Sequence, residues 1–340
     1  MIENPEGLIA IVGLGSISDR HRSNLKSIFP SFQIACLPSS TRRLDGLPSS
    51  CDILTYSIEE IIALNPKFAI IASPATFHAQ HSIPFIKKNI PVLIEKPIAA
   101  NIKDATQIAE AVKKYETPVG IGYCLRYKPF ITEVKNFLDN RAIGEIVSVE
   151  IFAGSYLPDW RPNKDYLSSV SASSILGGGA LLELSHEIDY ANLFFPNLYL
   201  ESAIIKNSQT LNIDAEDIAD LKFSMPGGGE CLIHLDFLQK SPIRHAYFYG
   251  SKGKILWDLQ DNSLDVTTNE LKKNLTIQNW DSNSMYIEMI KDFVFNFIEF
   301  KTNKVCKVSD ALSVIRYIEQ AKQFKKINNN TPLCIDDIPD

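Results

Sequence analysis

What this chain lacks narrows its class before any motif is read. No run in its 340 residues approaches the roughly 18 consecutive apolar residues that a membrane-spanning helix needs. Met1-Ile2-Glu3-Asn4-Pro5-Glu6 shows no basic segment leading into an apolar core, the pattern of a secretory leader. A cytoplasmic protein with no membrane partner is therefore expected. No basic block offsets the formal net charge of −6, so nucleic acid is not an expected partner either. The six cysteines, Cys36, Cys51, Cys124, Cys231, Cys306 and Cys334, have no CxxC spacing, and a chain of this size needs no disulfide staples. They read as reduced thiols. The histidines are dispersed without ligand spacing, so no metal is expected. No repeat or low-complexity segment appears.

What is present is 45% apolar content, enough for a substantial core, in a length that favours two domains. Up to about residue 124, short apolar runs (Leu8 to Val12, Phe32 to Leu37, Phe68 to Ala72, Val92 to Ile94, Val119 to Gly122) alternate with helical patterns. The helical patterns are Ser16 to Ile28, Ile58 to Leu64, His78 to Lys88 and Asp104 to Tyr115. This alternation predicts βαβ units and a doubly wound parallel sheet over residues 1–124, an α/β fold of the Rossmann kind. Residues 125–340 change character. A helix (Phe130 to Asp139) and a strand (Ile146 to Phe152) precede a long polar loop and a helix from Leu181 to Phe195. Alternating segments around Pro226-Gly227-Gly228-Gly229 then predict a large, mainly antiparallel open sheet in an α+β domain. Two amphipathic helices, Met285 to Phe300 and Ser309 to Lys326, are expected to pack back onto the body.

Three motifs in the first half point to dinucleotide chemistry. In Val12-Gly13-Leu14-Gly15-Ser16-Ile17-Ser18, Gly13 suits a sharp turn after a strand. Gly15 lets the backbone approach a pyrophosphate at the positive end of the next helix, with Ser16 and Ile17 beside it. Ser18 stands where the fingerprint usually has Gly or Ala, which predicts slightly looser packing of helix on strand. Leu37-Pro38-Ser39-Ser40-Thr41-Arg42-Arg43 ends the second strand with hydroxyls and arginines and no acid before Asp45. Ser39, Ser40 and Arg42 then favour NADP(H) over NAD(H), since a 2′-phosphate wants such groups and free ribose hydroxyls want an acid. Ser73-Pro74-Ala75-Thr76-Phe77-His78 follows a buried strand, at the sheet edge where ligands bind. It reads equally as a helix cap with its first turn. Glu95-Lys96-Pro97 ends another strand and places Lys96 as a proton-handling residue.

Together with Gly177-Gly178-Gly179, His186 and Asp189, these motifs resemble the Gfo/Idh/MocA oxidoreductases, the glucose-fructose oxidoreductase and inositol dehydrogenase group. The order of the motifs matches over the first 190 residues, and the hairpin-rich remainder is similar too. The resemblance implies a lysine beside the nicotinamide at Lys96, with Glu95 near the cofactor and a cis peptide before Pro97. It also implies a homodimer or homotetramer through the open sheet. One departure stands out. The family's usual Asp four residues before the histidine is replaced by Leu182, with Glu183 three residues before His186. Ser185-His186-Glu187-Ile188-Asp189-Tyr190 resembles a branch associated with surface-polysaccharide and unusual-sugar biosynthesis.

On a continuous helix at about 100° per residue, Glu183, His186, Asp189 and Tyr190 fall within about a 120° arc opposite Leu181, Leu184, Ile188, Ala191 and Phe195. His186 is the expected acid/base with Asp189 orienting its imidazole, and Glu183 is a candidate substrate contact. Trp160, Arg161 and Tyr166 in the preceding loop, with Arg126 and Tyr127 at the junction, form the expected sugar-binding set. Trp160 also reads as an anchor of that loop. The expected reaction is hydride exchange between NAD(P) and a secondary alcohol of a sugar, nucleotide-sugar or cyclitol. The alternatives are a glycosidase cycling a tightly held NAD and a non-catalytic NAD(P)-binding sensor.

Overall fold

The protein is described here by a computed structural model covering residues 7–39 and 44–329. Two sheets organise it. The first contains β1 (Leu8–Val12), β2 (Gln33–Leu37), β3 (Ile53–Leu54), β4 (Phe68–Ile71), β5 (Val92–Glu95) and β6 (Val119–Gly122), all parallel, in the order β6-β5-β4-β1-β2-β3. Helices α1 (Ser16–Ile28), α2 (Ile58–Ala63), α3 (His78–Ile86) and α4 (Ile102–Tyr115) connect its strands. Every residue of β4, β5 and β6 is buried, as a parallel sheet covered on both faces requires. The two-residue strand β3 is too short to leave an alternation pattern, so the sequence does not announce it.

The order reverses between β1 and β4. This is the switch point at whose carboxyl edge open α/β sheets bind ligands. Gly13 makes it tight. Its φ is +104°, and a Cβ there would lie 2.4 Å from the Ala72 carbonyl oxygen and 2.7 Å from the Ser73 nitrogen. Only a residue without a side chain lets the two strand ends come this close.

The chain continues through α5 (Ile131–Asp139), β7 (Ile146–Gly154), α6 (Ala180–Glu183) and α7 (His186–Phe194) into β8 (Tyr199–Lys206), β9 (Ile218–Ser224) and β10 (Glu230–Asp236). Strands β11 (Ile243–Gly250), β12 (Gly253–Asp258), β13 (Ser263–Thr268) and β14 (Lys272–Thr276) complete a second sheet, ordered β14-β13-β12-β11-β7-β10-β9-β8. It is antiparallel except where β10 runs parallel to β7. Burial alternates along β9 and β10, with one face packed beneath helices and the other open. After α8 (Ser284–Asp292), β15 (Cys306–Lys307) pairs antiparallel with β6 of the first sheet, and α9 (Val308–Asn329) contacts both α4 and β8. The helix expected over Met285 to Phe300 is α-helical only to Asp292 and then winds more loosely to Phe297. Among the described residues no helix is long and apolar enough to cross a membrane. Cys36, Cys51, Cys124, Cys231 and Cys306 are buried free thiols, and Cys334 lies outside the described residues.

The expected single helix Leu181 to Phe195 is broken at Leu184 and Ser185. The 100° arithmetic therefore does not carry across the break, and no polar arc faces solvent. Glu187, Asp189 and Tyr190 are as buried as Ile188, because both carboxylates have cationic partners. Arg126 grips Asp189 with two hydrogen bonds, Nε to Oδ2 at 2.9 Å and Nη2 to Oδ1 at 2.6 Å, and reaches Asp310 of α9 at 3.3 Å. Arg244 of β11 grips Glu187 in the same way, at 2.7 and 3.1 Å. Arg126→Met strips Asp189 of its main partner, and the expected destabilisation is about 3 kcal/mol in urea unfolding, with an unchanged denaturant slope.

Candidate active site

The site assembles where the carboxyl edge of the first sheet meets the break between α6 and α7. Gly15 caps α1 without any side-chain hydrogen bond, and a Cβ placed on it would touch nothing within 4 Å. The open helix start beyond it, at Ser16 and Ile17, presents main-chain N–H groups to an anion. Ser18, in the third fingerprint position, does not loosen the packing. It is fully buried, donates to the Gly13 carbonyl at 2.6 Å and accepts from Arg22 at 2.8 Å, bracing the turn. Ser39 closes the described part of the loop after β2, while Ser40 and Arg42 lie outside the described residues.

Ser73 and Pro74 follow β4 against Gly13. Ser73 holds His81 through its hydroxyl at 2.9 Å, and burial pulls the His81 pKa down to about 4. His78 is not free to bind a cofactor. Its Nδ1 lies 2.9 Å from the Pro97 carbonyl oxygen and its Nε2 lies 2.8 Å from that of Ser73. Burial pulls its pKa down while the two carbonyls push it up, and the ring lies between the β4 turn and the proline turn with a ring nitrogen against each. Glu95 is likewise engaged within the protein. Its Oε1 accepts from His21 Nε2 at 2.6 Å and its Oε2 accepts from the Lys96 main-chain N–H at 3.2 Å.

The Lys96-Pro97 peptide is cis. The Lys96 ammonium crosses to the other half of the molecule, donating to the Glu183 carbonyl at 2.9 Å with the Glu183 carboxylate 3.6 Å away. Glu183 therefore stands at the lysine despite its shifted place in the sequence. His186 opens α7 three residues later. Its Nδ1 is buried without a partner, and the Tyr123 ring meets it edge-on at 5.4 Å. Burial, with the nearby charges of Lys96 and Arg244, holds its pKa well below 6.5, so the imidazole is neutral at pH 7. Asp189 does not orient it, because that carboxylate is committed to Arg126.

The expected sugar-binding set is largely tied up in structural contacts. Arg126 is buried in its ion pairs, and the Tyr127 hydroxyl donates to Asp292 at 2.6 Å. Trp160 anchors its loop, donating to Ser155 Oγ at 2.8 Å and meeting Phe237 edge-on, while the Tyr166 hydroxyl donates to the Leu211 carbonyl. Arg161 is exposed. The glycine triplet is a packing device. Side chains at Gly178 and Gly179 would collide with the Val170 carbonyl and the Glu216 carboxylate, and Gly177 lies against Ala100 and Thr76. Residues that sequence reasoning missed are His21, Tyr123, Glu187, Arg244 and Asp310. Each acts through a partner distant in the chain, so no local spacing marks it.

A nicotinamide dinucleotide fits these residues. The uncapped start of α1 offers donors to a pyrophosphate, the space above Gly15 is open, and two buried polar atoms, Thr76 Oγ1 beside Gly177 and His186 Nδ1, have no partner.

Comparison with known proteins agrees with this fold. Residues 8–123 match the family model described as oxidoreductase family, NAD-binding Rossmann fold, and residues 131–256 match the GFO/IDH/MocA C-terminal domain. The chain is 26% identical over 227 residues to inositol 2-dehydrogenase of Rubrobacter xylanophilus, covering 65% of this chain and 62% of that protein. In three dimensions it is similar to levoglucosan dehydrogenase solved with NADH and levoglucosan, with a TM-score of 0.79 at 16% identity over 94% of this chain and 98% of that one. It is also similar to UDP-N-acetylglucosamine 3-dehydrogenase from Acidithiobacillus ferrooxidans, with a TM-score of 0.74 at 15% identity over the same shares. At such identities the structural likenesses speak for the fold alone. With both halves matched by models of one family, the chain belongs to the Gfo/Idh/MocA oxidoreductases.

Proposed function

We propose that this protein transfers hydride between a nicotinamide dinucleotide and a secondary alcohol of a sugar, cyclitol or nucleotide-sugar. The observation that carries the reading is the meeting of Lys96 and a neutral, buried His186 at the carboxyl edge of a dinucleotide-binding sheet. The dinucleotide supplies the hydride acceptor. In this reading Gly13, Gly15, Ser16 and Ile17 hold its phosphates, and the segment at Ser73 and Pro74 borders its nicotinamide end. His186, unprotonated at neutral pH, takes the hydroxyl proton during oxidation and returns it during reduction. The Lys96 ammonium stabilises the alkoxide as it forms, and Glu183 holds that ammonium in place.

The absence of an acid between Leu37 and Arg43 supports NADP(H) over NAD(H). The open face of the second sheet, where Phe152, Ile204 and His234 line a groove, supports a homodimer or homotetramer.

Titration of the purified protein with NADH and NADPH, followed by absorbance screening of inositol, hexoses and nucleotide-sugars, tests this reading directly. Net turnover of one substrate is the expected result, with NADPH bound more tightly than NADH. Tight dinucleotide binding without any absorbance change would instead transfer the assignment to redox cycling or sensing. Lys96→Met is expected to keep dinucleotide affinity within about threefold while kcat falls by roughly a hundredfold or more. Because burial depresses the His186 pKa, the base form persists as the pH falls through 6.5. The acidic limb of kcat/KM for sugar oxidation is therefore expected below pH 6.5, and a limb at or above that value would contradict the assignment.

A further inference from the structure

We infer that His21 is a positioning residue for Lys96, acting through Glu95. The inference rests on the assignment of Lys96 to the reacting centre and adds a residue that sits outside it. His21 lies in the second turn of α1, is fully buried, and contacts a carboxylate 74 residues away in sequence. A carboxylate accepts only, so the 2.6 Å contact places a proton on Nε2 of His21. The other ring nitrogen, Nδ1, is buried with no partner.

The second oxygen of the same carboxylate accepts the main-chain N–H of Lys96. One buried carboxyl group thus joins the helix that starts at the phosphate turn to the backbone of the lysine. Strand β6 provides the floor. A Cβ on Gly122 would lie 3.2 Å from the Cα, the carboxyl carbon and Oε1 of Glu95, so a side chain there would press the carboxylate out of place. Tyr286 packs against the His21 ring in a T-shaped pair with centroids 6.2 Å apart, and carries the Arg20 guanidinium 4.6 Å from its ring centroid. With the imidazole removed, the carboxylate has no buried donor on that side. It then has to turn toward water or toward the Lys96 ammonium, and either movement releases the lysine backbone.

A helix-locking pair that serves stability alone would alter unfolding without altering the lysine. Two measurements on the full chain separate the cases. The first is the rate of reductive methylation of Lys96 by formaldehyde and cyanoborohydride, read by mass spectrometry with and without saturating NADH; it does not depend on turnover. The second is the division of any activity loss between kcat and the NADH dissociation constant. In His21→Leu, Lys96 is expected to methylate at least about threefold faster or slower than in the natural protein, with NADH affinity within about threefold and kcat down about tenfold. His21→Gln, which restores a donor to the carboxylate, is expected to recover most of both. Gly122→Ala displaces the carboxylate from the opposite side with a single methyl group and is expected to move Lys96 methylation in the same direction, which covers the case of a poorly folding His21→Leu. Unchanged Lys96 methylation in the folded variants would overturn the positioning role. Absence of sugar turnover by the natural protein, with methylation still responding to His21, would overturn the proposed reaction while leaving the His21–Glu95–Lys96 linkage standing.

Discussion

Buried carboxylates have to be paired, and that requirement shapes the centre of this molecule. Helix α7 carries Glu187 and Asp189 into a region where neither reaches water. Each would be strongly destabilising if left alone. Arg244 reaches one from the second sheet and Arg126 reaches the other from the junction after β6, each with two hydrogen bonds. The two forks fix the rotation and depth of α7, and therefore the position of His186 at its start. The same pairing explains why the helix can be buried on every side. Neutralised acids and apolar side chains pack together, and the His186 imidazole and the Tyr190 hydroxyl are left buried with an unpartnered polar atom each.

The other half of the site depends on close backbone approach. Gly13, at positive φ, lets the Ala72-Ser73 main chain lie against the end of β1, and Ser18 fills the remaining space with a hydroxyl bonded on both sides. His78 then ties this turn to the proline turn beyond Lys96. The Gly13-Leu14-Gly15 turn, the Ser73-Pro74 segment and the lysine are consequently parts of one edge. The Lys96 ammonium carries that edge across to Glu183 and the α6–α7 break. In the proposed reading, a substrate alcohol held there would have His186 as acid/base and the Lys96 ammonium within reach.

Much of the fold was legible from period alone. Runs such as Phe68 to Ile71 and Val92 to Glu95 are wholly apolar or nearly so, and the helical stretches between them leave few alternatives to a doubly wound sheet. The alternation in β9 and β10 likewise announces a sheet with one covered face. The break inside the expected helix at Leu184-Ser185 was not legible, because a periodic reading assumes an uninterrupted helix. Nor was the structural use of Arg126, Tyr127 and Tyr166. Their composition suits sugar recognition, but Asp189, Asp292 and the Leu211 carbonyl claim their polar atoms.

The sequence by itself determined the dinucleotide fingerprint, the placement of Lys96 at a strand end and the family, because these depend on contiguous residues and short spacings. Only the tertiary structure decided which partner each buried acid finds. Asp189 finds Arg126 across 63 residues, Glu187 finds Arg244 across 57 and Glu95 finds His21 across 74. Such pairings are chosen by the cost of leaving a charge unpaired in a dry interior, a quantity that does not exist until the chain has folded around it.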